Sequence, residues 1–337
     1  MEKALSVIIA ALDTYGEIQE LHRCIEKQTI RPKLEVIFIC RTKGAFALPE
    51  SFEVQHPDII LIQGGKPLLL HEARHLGIMH STAPHVVIME DHCLPLEDCL
   101  EHMLNRLLEG WSGVGPSIRN GNRVSAVSRA ANYVTYGEWM GRKASGEMHY
   151  IAGYNSAFSR AVLLSRRELL EQDLIATSLM QMSLRKQGHR FFLETRAVMY
   201  HWEASCWQGT KRILIPNGQA LGLLRSRGWG TSRRLWFSAL APCLFIFRYA
   251  RALRTYLRVV KKDRVPEEFL YLLPITLIWS FGELKGYWTK DTRVFQTVSD
   301  VERNRSPFLR PEEAIILPES WPVSTQHSEV HTEGRIR

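Results

Sequence analysis

The chain has 337 residues, of which 45% are hydrophobic and 23% charged, and its formal net charge is +8. This length suggests two domains, or one large domain with an appendage, and the ordinary balance of residues excludes a fibrous, collagenous or wholly disordered protein. Basic chains often bind anions, so the position of the excess charge must indicate whether the partner is nucleic acid, acidic lipid or a phosphorylated substrate.

The first part of the chain alternates apolar strands with helical patterns. We predict buried strands at residues 6–12, 35–40, 58–62 and 85–89, and helices at about 16–28 and 68–81. This alternation predicts an α/β fold with a mostly parallel sheet flanked by helices. Ligands bind beyond the carboxyl ends of strands in such sheets. The polar residues that follow the strands are therefore candidate site residues: Asp13, Arg41, Glu90, Asp91 and His92.

The middle of the chain continues with mixed elements. We predict a short strand at residues 124–127 and a further strand at residues 191–201. Residues 153–160 are expected to form a small-residue loop that leads into a helix. An amphipathic helix is expected at about 173–187, with Asp173 as its N-cap and Gly188 as its stop.

The later part of the chain combines apolar runs with positive charge. The runs at residues 235–247 and 269–282 each contain a proline, and both are shorter than the roughly 20 residues that cross a bilayer. We expect interfacial or re-entrant helices, with an ordinary helical hairpin as the alternative. Residues 204–262 contain twelve Lys or Arg and no Asp or Glu. This favours an anionic membrane surface, and not nucleic acid, as the partner.

These patterns predict a membrane-associated helical region at residues 221–292 and an extended or disordered tail at residues 293–337, where the sequence becomes polar and aperiodic. The six cysteines are scattered without a CxxC pair, which argues against zinc binding by them. The first six residues do not resemble a secretory signal peptide. We therefore expect a reducing environment, at the cytoplasmic face of the cell membrane.

The tripeptide Glu90-Asp91-His92 carries the strongest site signal. It ends a strand that is too apolar to be anything but buried, and Glu90 and His92 can point to the same side of an extended segment. Carboxylate and imidazole ligands suit Mn²⁺, whereas Mg²⁺ is less favoured by nitrogen. A divalent cation there could bridge the phosphates of a nucleoside diphosphate. In isolation, the tripeptide also fits a solvated loop with a helix cap.

Seven motifs in order resemble the family 2 glycosyltransferases, which have the GT-A fold. They are SVIIA, a helix ending in QT, EVIFI, EARHLGI, VVIMEDHCLP, GYNSAFSRAVL and RAVMYH. The resemblance covers roughly residues 4–220, so we predict a nucleotide-sugar transferase domain of GT-A type at residues 1–220. It implies a hexosyltransferase-like enzyme, inverting and dependent on Mn²⁺ or Mg²⁺. The implied acceptor is a membrane-linked or surface glycan, as in polysaccharide biosynthesis.

The resemblance also implies roles for individual residues. The metal site implied by the family's D-x-D motif and its late histidine consists of Glu90, Asp91, His92 and His201. The donor-binding residues implied by the other motifs are Asp13, Arg74, Asp91, Gly153, Asn155 and Arg160.

Departures from the family pattern concern the nucleobase and the catalytic base. Cys40 and Arg41 occupy the place of the aspartate that usually holds the base. The family's E-D pair falls on residues 176–177, Ala and Thr, which cannot abstract a proton. Asp173 or Glu171, just upstream, is predicted to serve instead, although Asp173 fits a helix cap equally well. The missing pair motivates an alternative: a degenerate relative that binds a nucleotide sugar or a partner without turnover.

Overall fold

The computed structural model describes residues 2–11, 13–41, 46, 48–49, 52–65, 68–122, 124–260, 267–303 and 305–317. The strands within these residues are β1 (Leu5–Ala10), β2 (Leu34–Cys40), β3 (Ile59–Gln63), β4 (His85–Met89), β5 (Cys93–Pro95), β6 (Gly113–Asn120), β7 (Gly146–Met148), β8 (Ser156–Ser159) and β9 (Phe191–His201).

The α-helices of the described residues alternate with these strands and then continue alone. They are α1 (Tyr15–Glu26), α2 (Phe52–Gln55), α3 (Leu70–His80), α4 (Cys99–Leu108), α5 (Ala126–Thr135), α6 (Arg160–Leu164), α7 (Leu170–Asp173), α8 (Thr177–Lys186), α9 (Trp207–Arg225), α10 (Thr231–Ala239), α11 (Ala241–Val259), α12 (Glu268–Trp288) and α13 (Arg293–Arg303).

Among the described residues the strands form one nine-stranded sheet, in the order β3-β2-β1-β4-β8-β6-β9-β5, with β7 paired to β9. The half from β3 to β4 is wholly parallel. The other half mixes both directions, because β8 runs antiparallel to β4 and β6 while β6 and β9 are parallel. The predicted α/β fold, with a mostly parallel sheet flanked by helices, is confirmed.

Both faces of the sheet are buried, which explains why β1, β2 and β4 are apolar at most successive positions. Val7 and Ile9 of β1 pack with α1 and α4 on one face. Ile8, between them, packs with α3, α6 and α8 on the other face. The alternation follows from the pleat, in which successive side chains point to opposite faces.

A third layer of helices, α5, α9, α11 and α12, shares a separate apolar core. Helices α9 and α12 touch backbone to backbone: a Cβ atom at Gly222 would lie 2.2 Å from the Glu283 carbonyl oxygen, and one at Gly286 would lie 2.3 Å from the Gln219 carbonyl oxygen. Gly218 and Gly282 meet the opposite helix in the same way. The two G-x-x-x-G pairs therefore form the contact, which we call the glycine seam.

The outer surface of this layer carries large exposed apolar side chains. On α12 they recur at helical spacing, which makes one stripe. The stripe consists of Leu270, Leu273, Leu277, Phe281 and Trp288, and α10 and α11 add Leu235, Trp236, Ile246 and Phe247. No helix among the described residues has the length and apolarity that a bilayer crossing requires.

Three sequence predictions are wrong. Residues 124–127 do not form a strand, because α5 begins at Ala126 with the Ser125 hydroxyl as its N-cap. The helix expected from Asp173 is divided: α7 ends at Asp173, and α8 starts at Thr177 after Ala176. The tail expected to be extended or disordered from residue 293 instead begins with the amphipathic helix α13, and its later positions, 318–337, lie outside the described residues.

Candidate active site

The site lies where the order of the parallel strands reverses. Strand β1 pairs with β2 on one side and with β4 on the other, so their carboxyl ends open a crevice of the kind in which α/β sheets bind ligands. Glu90 follows β4 directly and is 6% exposed. The strand thus delivers a carboxylate to the crevice.

Asn155 fixes this carboxylate. Its side-chain oxygen accepts a hydrogen bond from the Glu90 backbone N–H at 2.9 Å, and its side-chain nitrogen donates to Glu90 Oε2 at 2.6 Å. Asn155 is fully buried and has φ of 60°, a left-handed conformation that asparagine tolerates better than most residues. The predicted donor residue Asn155 is therefore seen here to orient Glu90.

Strand pairing brings two distant histidines together. In the antiparallel ladder of β5 and β9, Cys93 pairs with His201, and the Trp202 backbone N–H donates to the His92 carbonyl oxygen at 3.0 Å. The imidazole rings of His92 and His201 consequently lie 4.8 Å apart, centre to centre. Both side chains are buried.

Glu90, His92 and His201 each turn one ligand atom toward a common point, and these atoms lie within 4.8 Å of one another. Nε2 of His92 and both ring nitrogens of His201 have no hydrogen-bond partner among the described residues. Asp91 is placed differently: its Oδ1 lies 2.6 Å from Nδ1 of His92. A carboxylate on Nδ1 leaves Nε2 free to coordinate, so Asp91 orients a ligand and stands outside the group of three.

The charges in this group favour a cation. Burial alone would raise the pKa of Glu90, but His201, His92 and Arg74 outweigh it and hold that pKa well below its usual range. Burial, with a smaller contribution from Arg305, lowers the pKa of His92 well below its ordinary value, so the imidazole is neutral. An ionised carboxylate beside the neutral His92 imidazole is the state that metal ligands require.

Asp91 and its neighbour Glu17 are the acidic groups that stay partly protonated. Burial and then the charge of Glu90 raise the pKa of Asp91 to about 7, despite the opposing Arg305. Burial, followed by the charges of Asp91 and Asp13, raises the pKa of Glu17 to about 7. Burial is therefore the main reason that these two carboxyl groups resist ionisation.

The C-terminal segment places two arginines over the site. Arg303, the last residue of α13, donates to Oδ1 of Asp13 at 3.0 Å. Arg305 is buried; it donates to the Trp202 carbonyl oxygen at 3.0 Å and lies 3.4 Å from Glu203 Oε2. The Glu302 and Glu203 carboxylates outweigh burial and raise the pKa of Arg305, so its charge is permanent. Asp13, one of the predicted donor residues, is thus paired with an arginine of this segment.

A cleft of about 200 Å³ opens beside the three ligand groups. Its polar floor includes Glu90, Arg74, Glu203 and Arg305. Arg74 lies 3.8 Å from Glu90 Oε1, and its guanidinium stacks 3.6 Å from the centre of the Tyr154 ring. The opposite wall is apolar and comes from α9, α12 and α13, with the side chains Ile213, Leu214, Trp279, Phe295 and Val298.

Two predicted donor residues lie elsewhere. Arg160 is at the amino end of β4, where its guanidinium donates to the Ser81 hydroxyl at 3.0 Å, so the length of the strand separates it from Glu90 and the prediction is wrong. Gly153 packs against α8: a Cβ atom there would lie 1.6 Å from Oγ1 of Thr177. The glycine of this motif therefore permits a close contact with the helix start.

The predicted catalytic bases belong to α7. The Asp173 carboxylate is held by the Arg166 guanidinium at 2.6 Å, and Glu171 is half exposed, 3.4 Å from Nδ1 of His75. Neither carboxylate is among the cleft-lining groups, although Ile175, two residues beyond Asp173, is. Glu203 lines the cleft and is 3% exposed.

Sequence reasoning missed Glu203, Tyr136 and the C-terminal arginines. Glu203 lies two residues beyond His201, so its position after a predicted strand could have indicated it. Tyr136 donates to Glu90 Oε2 at 3.3 Å from the turn after α5. No local pattern points to Arg303 or Arg305, because they reach the site only through the packing of α13 against α9 and α3.

Known proteins are similar to this chain in sequence and in fold. The glycosyl transferase family 2 model matches residues 6–166. A mannosyltransferase from Pyrobaculum calidifontis, solved in complex with GDP-Man and Mn²⁺, has 17% identity and a TM-score of 0.56, over 86% of this chain and 89% of its own. The structure of S. aureus TarS residues 1–349 in complex with UDP has 13% identity and a TM-score of 0.45, over 84% of this chain and 89% of the TarS chain.

No curated protein sequence matches the chain. The matched segment contains β1 to β4, Glu90, His92 and Asn155, and thus most of the site. The family model thus matches a little less than half of the chain, and the similarity to the mannosyltransferase shows a shared fold.

Proposed function

We propose that the chain transfers a sugar from a nucleoside-diphosphate sugar to an acceptor that enters the cleft, with a divalent cation held by Glu90, His92 and His201. The observation that carries the proposal is the convergence of these three ligand groups, within 4.8 Å, at the carboxyl edge of a GT-A sheet. The similar mannosyltransferase, whose complex contains GDP-Man and Mn²⁺, supports a nucleotide-sugar donor and a cation here.

The residues fit a cation on chemical grounds. The buried Nε2 atoms of His92 and His201 have no partner among the described residues, and a buried polar atom without a partner is costly. Two imidazoles and one carboxylate favour Mn²⁺ over Mg²⁺, which prefers oxygen ligands. A cation held there would neutralise the charge that develops on the departing nucleoside diphosphate.

Positively charged groups around the crevice suit the donor. Arg74 lies at its floor, and Arg303 and Arg305 cover it from the C-terminal side. We propose that the diphosphate pairs with Arg303, which releases Asp13 for the nucleoside. Arg305 is held by Glu203 and Glu302 and fixes the covering segment in place.

The apolar wall of the cleft indicates the kind of acceptor. Side chains of α9, α12 and α13 face the charged floor across about 200 Å³, which suits an acceptor with a hydroxyl at one end and an apolar part at the other. We propose a lipid-linked acceptor, presented at the cytoplasmic face of a membrane. The exposed apolar stripe of α12 and the basic residues of α10 and α11 would bind that surface.

The catalytic base of the proposed inverting displacement is assigned to Asp173, as the sequence predicts. Its carboxylate must leave Arg166 to accept a proton from the acceptor. Glu203 is the second candidate, because it lines the cleft that the acceptor would enter. The variants Asp173→Asn and Glu203→Gln, compared at saturating donor, separate the two: only loss of the base lowers kcat with little effect on donor binding.

The decisive experiment measures turnover of UDP-, GDP- and dTDP-sugars with Mn²⁺, for the unaltered chain and for His201→Ala. We expect one donor class to be turned over, with activity abolished by a chelator and restored by Mn²⁺. Tight nucleotide binding without turnover of any donor would favour the degenerate relative. Unchanged turnover in His201→Ala would overturn the proposed cation site.

A further inference from the structure

A second group of metal-ligating side chains lies at the β2–β3 side of the sheet, away from the candidate active site. His22 and Glu26 stand at i and i+4 on α1, and His56 follows α2. One ligand atom from each of the three lies within 4.8 Å of the other two. From this geometry we infer that His22, Glu26 and His56 form a binding site for a divalent transition-metal ion such as Zn²⁺.

The contacts of His22 suit coordination. Its Nδ1 lies 2.8 Å from the Tyr15 hydroxyl, and its Nε2 lies 3.2 Å from Oε1 of Glu26. When Nδ1 carries the proton and donates it to Tyr15, Nε2 presents its lone pair toward the carboxylate. A cation between Nε2 of His22 and the Glu26 carboxylate would bind both and remove the repulsion between them. The hydrogen bond to Tyr15 would hold the His22 ring in place, as the second hydrogen bond of a metal-bound histidine does.

The chemistry of the three ligands favours zinc-like ions. Two imidazoles and one carboxylate form a ligand set found in zinc sites, with a water in the fourth position. Such nitrogen-rich sites do not suit Mg²⁺ or Ca²⁺, which require oxygen ligands. Burial lowers the pKa of His22, so its imidazole is neutral and available at pH 7.

The surroundings provide charge balance and access. Arg31 donates to Oε1 of Glu26 at 2.8 Å and also contacts Asp58 at 2.8 Å, so its charge is shared between two carboxylates. Both described contacts of Glu26 use Oε1, and the second oxygen can bind the ion. A cavity of about 340 Å³, lined in part by His56 and Phe52, gives an entry path and room for water.

A metal at this site would join α1 to the segment that precedes β3. His56 lies between α2 and β3, and its ring is stacked edge-on against His22 at 4.6 Å. Because the ion binds only the folded arrangement, Zn²⁺ would stabilise this edge of the sheet.

Titration with Zn²⁺ and with Co²⁺ tests the inference. Calorimetry should show two bound equivalents for the unaltered chain, one at each histidine group. The variant His56→Ala should lose one equivalent and keep the Mn²⁺ dependence of sugar transfer, whereas His201→Ala should lose the other. The variant Tyr15→Phe should weaken the second site about tenfold.

His102→Ala is the matched control. His102 lies 3.3 Å from the Asp98 carboxylate, four residues away on the chain, just as His22 and Glu26 are four residues apart. His102 belongs to neither of the two groups of metal-ligating side chains. It should bind Zn²⁺ as the unaltered chain does. Zn²⁺ should also raise the Tm of the unaltered chain and of His201→Ala but not that of His56→Ala. The inference is wrong if His56→Ala matches His102→Ala in Zn²⁺ stoichiometry, affinity and Tm.

Discussion

The two walls of the cleft are built in different ways. The sheet wall carries Glu90, which Asn155 holds in place, and His92 and His201 lie beside it at the ends of the paired strands β5 and β9. The helical wall carries apolar side chains, whose positions are set by the packing of α12 and α13 against α9. Strand ends therefore fix the positions of the ligand groups, whereas helix packing fixes the shape of the cleft.

The largest expected effect comes from the sheet wall. Glu90→Gln keeps the shape of the side chain but removes its charge, so sugar transfer should fall by about a hundredfold or more. The measurement is the initial rate as a function of Mn²⁺ concentration. Glu109 is a surface carboxylate at the C-cap of α4, and the control variant Glu109→Gln should keep full activity. Equal rates for the two variants would contradict a chemical role for the sheet wall.

The next effect concerns a buried carboxylate that supports the same wall. Glu194 on β9 is fully buried; burial would raise its pKa, but Arg196, Arg106 and Ser145 hold that pKa at about 2. Since this pKa is lower than in the unfolded chain, Glu194 stabilises the fold above about pH 4.5, and this contribution is lost as the pH falls toward 2.

Glu194→Gln should therefore lower the free energy of unfolding by about 3 kcal/mol at pH 7, with a smaller difference at pH 3. Denaturant unfolding at both pH values measures it. The exposed Glu147, paired with Arg190, offers a comparison, because Glu147→Gln should change stability little. A difference between Glu194→Gln and the unaltered chain that grows toward acidic pH would refute the assigned pKa.

The helical wall depends on the glycine seam. Gly222→Ala places a Cβ atom 2.2 Å from the Glu283 carbonyl oxygen, so α9 and α12 must separate, at a cost of about 1–3 kcal/mol. Gly16→Ala on α1 is the matched control: its Cβ atom would meet only Oγ1 of Thr14, at 3.9 Å, and helix propensity should stabilise it slightly. Thermal unfolding distinguishes them. Equal Tm values would show that the seam tolerates separation.

The smallest effect tests the outer face of the helical layer. Leu277→Glu places a charge in the exposed stripe of α12 and should weaken binding to anionic vesicles about tenfold, without change in Tm. Met182→Glu, at a similarly exposed apolar position on α8, is the control. Co-sedimentation with vesicles measures both. If the unaltered chain does not sediment with vesicles at low salt, the proposed membrane surface is absent.

The sheet wall could be predicted from the sequence because its determinants are local. Apolar runs predict β1, β2 and β4, and polar residues that follow parallel strands must meet at one edge, which placed Asp13 and Glu90. The late histidine was found through the family resemblance. Arg160 was misplaced because β8 runs antiparallel to β4, which reverses the end of the sheet that its loop faces.

The helical wall could not be predicted in the same way. The pattern at residues 293–303 is amphipathic but rich in charge, and its apolar side chains become a wall only when α9 is present to receive them. Arg305 has a buried role that depends on Trp202 and Glu203, a hundred residues earlier. Contacts over such distances leave no periodic signal in one sequence.

The covering segment at residues 303–305 is also the last part of the site to be synthesised. Glu90, His92 and His201 are synthesised first, whereas Arg303 and Arg305, which cover them, leave the ribosome about a hundred residues later. A chain that ends before α9 would keep Glu90, His92 and His201 but lack Arg303, Arg305 and the apolar wall, so it would have the three ligand groups without the cleft beside them.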